Sequence, residues 1–138
     1  MTGKTPILNM PSNEIRLNPV PILSDFGKQC REAVARYDAN LECIKLRDAD
    51  TQDILHEIEL SGNKNARDGY KLYYKLKVVR EDRRRAKVEN EVLEPLVQWL
   101  AANKQTMNQL AQIQGKCGTK QRVVANRKYT PKGDILDQ

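Results

Sequence analysis

Aromatic side chains are scarce in this chain: one Trp, one Phe and five Tyr among 138 residues. Histidine is scarcer still, with His56 alone. One imidazole cannot furnish a Ser-His-Asp or Cys-His arrangement with any redundancy, and His56 has no Cys or carboxylate set at ligand spacing around it. It is read as a helix-surface or interface residue. The three cysteines (Cys30, Cys43, Cys117) are too few and too scattered for a disulfide framework or a zinc site, so a reducing cytoplasm is expected. No apolar run approaches the roughly 18 residues of a membrane span, and no apolar leader is visible at the N-terminus. The seven glycines are dispersed, so no phosphate-cradling loop occurs. Asp50, Asp53 and Glu57 are read as a solvated acidic face rather than as a Mg²⁺ site. Catalytic residues, cofactors and metals are therefore all expected to be none. The chain reads as a binding protein, not an enzyme.

What is abundant is charge. Lys and Arg number 24 against 18 Asp and Glu, a net +6, while hydrophobic residues make up 39%. That apolar stock is thin for a globular domain but too well patterned for disorder. It suits an elongated helical protein, or an oligomer that completes its core with partner chains.

The first 23 residues hold four of the six prolines and no periodicity, and read as an extended arm (1–23). The remainder, 24–138, reads as one domain. Ser24 or Asp25 is placed to cap a helix from Phe26 to about residue 60. Its apolar seam runs Cys30, Val34, Tyr37, Leu41, Ile44, Asp48, Thr51, Leu55, Ile58. Ser61-Gly62-Asn63-Lys64 breaks it. Asn65 can cap a second helix with Asp68 at its third position. There the seam reads Gly69, Leu72, Leu76, Val79, Arg83, Ala86, Asn90, Leu93, Val97, Leu100. Two such helices joined by a short turn predict an antiparallel hairpin. Asp48 and Arg83 are predicted to meet in a polar layer that sets its register. Pro95 is expected to kink or restart the second helix, which continues through Leu96, Leu100, Met107, Leu110 and Ile113 to end at Gly115. Arg122-Val123-Val124 and Arg127-Lys128-Tyr129 read as short antiparallel strands, with a turn at Thr130-Pro131-Lys132-Gly133. The fold class is mainly α (α+β): a long helical hairpin with a short C-terminal β element, oligomeric.

Charge is unevenly placed. Residues 38–59 carry seven acids and two bases; residues 64–87 carry ten bases and three acids; residues 116–132 carry six bases and no acid. The first two blocks are expected to complement one another across the hairpin. The third has nothing to cancel it and reads as an anion-binding surface. Trp99 is either a packing anchor or a face for a nucleobase, with Asn103 and Asn108 nearby to read a base or ribose edge. Of Tyr70, Tyr73 and Tyr74, two are assigned to core or dimer packing.

Several stretches carry a family resemblance. The run from Asp50 through His56 to Leu60, the segment Asn65-Ala66-Arg67-Asp68-Gly69-Tyr70-Lys71-Leu72, the Arg80-x-x-Arg-Arg-x-x-Lys-x-Glu pattern ending at Glu89, and the tail from Asn126 to Lys132 resemble the phage Thoeris anti-defence sponges of the first type. The resemblance spans about residues 40–133. It implies a non-enzymatic function: holding the cyclic ADP-ribose-type signal made by bacterial TIR-domain sensors, with cyclic di- or trinucleotides at separate sites in some members. It further implies a hairpin protomer with a C-terminal β element, dimers that can assemble into hexamers, and a location in the host bacterial cytoplasm. Carried to matching positions, Arg127, Lys128 and Lys132 would hold phosphates and Trp99 would supply the aromatic face. Lys132 stands where the family tail is expected to carry arginine, at the loss of a bidentate fork. The full ligand-binding set is Trp99, Asn103, Asn108, Arg122, Arg127, Lys128, Tyr129 and Lys132, for a cyclic nucleotide signalling molecule. The competing readings are a basic helical nucleic-acid-binding protein and a hairpin that inhibits a host protein.

Overall fold

In a computed structural model, residues 14–62 and 65–127 are described. They form three helices: α1 (Pro19–Leu60), α2 (Ala66–Ala102) and α3 (Lys104–Ala125). The protein is thus mainly α. The chain divides into two compact units, residues 28–104 and residues 1–27 with 105–138.

Helix α1 starts seven residues before the expected Phe26. Asn18 is the cap, its Oδ1 accepting the Val20 N–H at 3.0 Å. Pro19 and Pro21 lie in the first turn, where a missing N–H is no loss and a fixed φ is helical already. Proline-richness there marks a helix start rather than an arm, so residues 19–23 leave the extended segment. Residues 1–13 lie outside the described part. At its other end α1 stops where expected, at Leu60. Gly62 turns the chain with φ +65°, a conformation costly for any residue with a Cβ. Asn65 then caps α2, its Oδ1 accepting the Asp68 N–H at 2.8 Å.

Within residues 28–104, α1 and α2 are an antiparallel pair whose register is fixed by side-chain hydrogen bonds. Moving toward the turn, Asn40 meets Asn90, Cys43 meets Asp82, and Asp48 meets Arg83. The Asp48–Arg83 contact expected from sequence is present, with Nε donating to Oδ1 at 2.6 Å. Asp48 is half exposed, however, so the pair lies at the edge of the seam. The buried polar layer is Asn40 with Asn90, each 7% exposed. Asn40 Nδ2 donates to Asn90 Oδ1 at 2.9 Å and to Glu89 Oε1 at 2.7 Å; Asn90 Nδ2 donates to the Tyr37 carbonyl at 3.1 Å.

The α2 seam follows its expected course: Leu72, Ala86, Asn90 and Leu100 are buried, and Leu76, Val79, Arg83, Leu93 and Val97 half-buried. Only Gly69 is exposed. The α1 seam is shifted. Cys30, Val34, Tyr37, Ile44 and Thr51 face inward as expected, but they are joined by Ala33, Asn40, Arg47 and Ile54. Leu41, Leu55 and Ile58 are exposed instead. The true companion line carries Asn and Arg at its centre, and an apolar pattern passes over it. Burial of Ile54, Leu72 and Leu100 contributes about 1.5–3 kcal/mol each. No large side chain among the described residues is fully buried.

Helix α2 does not restart at Pro95 but continues through it, and the interruption falls at Asn103. The lost amide costs one bond to Glu91, which the long helix absorbs. Helix α3 continues past Gly115 and Gly118 to Ala125 and includes Arg122-Val123-Val124. Among the described residues there is no strand. Lys128, Tyr129 and the turn at 130–133 lie outside the described residues. No helix among those described is long and apolar enough to cross a membrane.

Candidate anion-binding surface

Helix α3 carries cations and no acid. Lys104, Lys116, Lys120 and Arg122 lie on it and Arg127 follows it. None of the five forms an ion pair with another described residue. Arg122, in the last turn, complements the negative end of the helix dipole. Its Nη2 donates to Thr119 Oγ1 at 3.3 Å, and Thr119 in turn donates to the Gly115 carbonyl at 3.1 Å. The guanidinium lies over Gly118: a Cβ there would come within 3.8 Å of Nη1. Arg122 is held along the helix with most of its donors still open.

Lys116 and Lys120 also edge a shallow hollow of about 290 Å³ between the start of α1 and the second half of α3. Its floor is apolar, from Ile15, Pro19, Cys117 and Val124. Arg127 is exposed, its own N–H donating to the Val124 carbonyl at 3.1 Å.

The expected ligand residues are only partly brought together. Trp99 is 45% exposed on α2. Asn103 caps that helix, and its Nδ2 donates to the Trp99 carbonyl at 2.8 Å. Asn108 is exposed on α3, but Arg122 is about 21 Å further along the same helix. Trp99 and Asn103 belong to the 28–104 unit, and Asn108, Arg122 and Arg127 to the other. Lys128, Tyr129 and Lys132 lie outside the described residues.

A second feature went unread in the sequence. A groove of about 1050 Å³ runs beside the hairpin seam, with Ala39, Cys43 and Ala86 among its lining. Val88 and Val92 stand along it, 52% and 76% exposed. Small residues at those positions are its only sequence signal. Arg36 pairs there with Glu89. Hydrogen bonds from Arg36 and Asn40 hold the Glu89 carboxyl below the usual range, and the same contact raises the Arg36 pKa. Desolvation, then the Asp82 carboxylate, pushes the Cys43 thiol up, away from the reactive thiolate. Arg47 Nε lies 3.3 Å from an Asp50 oxygen and 3.8 Å from an Asp82 oxygen, buried and without a hydrogen bond to either.

The charge complementarity expected across the hairpin is present in part. Asp48 pairs with α2 through Arg80 and Arg83. The other inter-helix pairs run the opposite way, with Arg36 and Arg47 of α1 meeting Glu89 and Asp82 of α2. Asp38, Glu42 and Asp53 on α1, and Arg67, Lys71, Lys75, Lys77, Arg84 and Lys87 on α2, form no ion pair with another described residue. Among the described residues no three His, Cys, Asp or Glu cluster as metal ligands would.

No protein-family model, curated protein or solved structure matches the chain.

Proposed function

We propose that the chain is a non-enzymatic binding protein that sequesters an anionic cyclic nucleotide signal of the cyclic ADP-ribose type, with cyclic oligonucleotides as further ligands. In this reading it acts as a phage anti-defence sponge in the host bacterial cytoplasm and works as a homo-oligomer. One observation supports it above the others. Helix α3 and Arg127 present five cations with neither an acid among them nor an ion-pair partner among the described residues. A pyrophosphate asks for such groups, and arginine offers it a two-pronged donor. Trp99, half exposed, has an open face for adenine.

Thermal-shift measurement with cyclic nucleotides and ADP-ribose isomers tests the reading. A sequestered ligand must raise Tm, because it binds the folded state alone. Heating the complex should return the ligand intact. No rise with any such ligand, or recovery of a cleaved product, would sink the proposal.

The unpaired cations of α2 favour a second reading, a nucleic-acid-binding hairpin. Its signature is affinity for DNA or RNA that falls steeply with salt, whereas a compact ligand with two phosphates gives a shallow slope.

A further inference from the structure

Three of the five tyrosines fall within five residues of α2, and none of the three packs into the core. Tyr70, Tyr73 and Tyr74 are 66%, 60% and 57% exposed. Single exposed apolar residues are ordinary, but a cluster of rings on one face marks a contact surface. We infer that this face of α2 binds single-stranded nucleic acid, its bases stacking on the tyrosines and its phosphates held by the lysines and arginines between them. The site gives residues to the nucleic-acid reading stated above and rests on it; it needs nothing from the cations of α3.

Rings and cations share the surface. Neighbours on a helix face are three and four residues apart, with Cβ atoms about 5–6 Å from one another. Arg67 therefore adjoins Tyr70 and Lys71, both of these adjoin Tyr74, and Tyr73 adjoins Lys77, with Arg84 two turns further on. Arg67, Lys71, Lys75, Lys77 and Arg84 are exposed and form no ion pair with another described residue. From Arg67 to Arg84 the strip is about 26 Å long. Beside it, a hollow of about 460 Å³ is edged by Tyr70, Lys71, Tyr74 and Lys75 together with Glu57 of α1.

Several features favour a single strand over other occupants. Between Ala66 and Lys77 no large apolar side chain other than the tyrosines is exposed. A protein partner asks for an apolar centre, whereas a ring offers a stacking face that every base can use. Gly69 stands one turn before Tyr73, where an added Cβ would meet nothing within 4 Å. Packing does not need a glycine there, and helix propensity disfavours one. Helical side chains lean toward the N-terminus, so Gly69 leaves that side of Tyr73 bare and lets a strand approach closely. The cationic strip is also narrow. Glu57 borders it from α1, and Asp53 lies one turn from Glu57. A duplex would set its second strand against these carboxylates, and its paired bases are closed to tyrosine.

Fluorescence anisotropy tests the site on the full chain, with a labelled oligothymidylate, its duplex with oligoadenylate, and an abasic strand of equal length. The single strand should bind at low salt, and the duplex about tenfold more weakly. Tyr70→Ala with Tyr74→Ala should weaken the single strand about tenfold or more, while leaving its salt slope and the binding of the abasic strand unchanged. Tyr70→Phe with Tyr74→Phe should bind like the parent, which separates lost stacking from misfolding. Lys71→Gln with Lys75→Gln should instead flatten the salt slope by about 1.4, at roughly 0.7 per phosphate contact. Alanine variants that bind like the parent, or a duplex bound as well as the single strand, would overturn the site and leave the nucleic-acid reading standing. No binding of any strand at low salt would overturn both. Alanine variants that break up an oligomer while binding the strand undiminished would assign the rings to contact between copies and overturn the site. Sequestration is read separately, by the rise in Tm with cyclic nucleotides.

Discussion

Asn40 and Asn90 form the most consequential contact in the hairpin. Each amide is buried, and each is satisfied by the other helix. Asn90→Ala removes one of the two acceptors of Asn40 Nδ2, leaving one of its N–H groups buried without a partner, and should lower stability by about 1–3 kcal/mol in urea unfolding. Replacing both residues by Leu should raise stability, yet loosen alignment, since an apolar pair tolerates a one-turn slip that paired amides do not. Disulfide trapping of alternative registers would show that slip; an unchanged single register would refute it. Glu89 makes stability depend on pH. Its folded pKa is depressed, so its contribution is fully present above the unfolded value near 4.3 and is lost as pH falls through the lower folded value. Tm should therefore drop in acid below about pH 4.3, and Glu89→Gln should flatten that part of the profile.

At the scale of elements, α2 was legible because its seam is written in Leu72, Leu76, Val79, Ala86, Leu93, Val97 and Leu100. Its start was legible because Asn65 and Asp68 stand at capping distance. Half of the α1 seam was not, since Asn40 and Arg47 occupy inward positions while Leu41 and Leu55 face out. The strand expected at Arg122-Val124 rested on β-branched residues, whose weak preference a continuing helix overrides. Of the expected ligand residues, Arg122 and Arg127 fall together at the end of α3, while Asn103 also caps α2, a role that spacing alone could not reveal. Local changes should follow these observations. Gly62→Ala should cost about 1–2 kcal/mol, because the turn needs a positive φ. Pro95→Ala should stabilise α2 by up to about 3 kcal/mol, since the helix already passes through that position. A loss on Pro95→Ala would show that the proline shapes the helix.

For the molecule as a whole, charge that remains uncancelled is the dominant property. If α3 holds an anion, Lys116→Glu with Lys120→Glu should abolish the ligand-induced rise in Tm while leaving the helical signal of the free protein unchanged. An undiminished rise would move the site away from α3. Ligand stabilisation should also weaken with added salt, because these side chains are exposed and screened.

The hairpin's inter-helix contacts grow steadily more distant in sequence away from the turn at Gly62. Asp48–Arg83 spans 35 residues, Asn40–Asn90 spans 50, and Arg36–Glu89 spans 53. Such a ladder can close like a zipper, each rung adding only a small increment of loop entropy to the last. The order of folding follows from that. Changes at Gly62 and Asn65 should slow refolding, while changes at Asn40 and Asn90 should chiefly quicken unfolding. Stopped-flow chevrons would separate the two limbs, and a nucleus at the far rungs would show the opposite pattern.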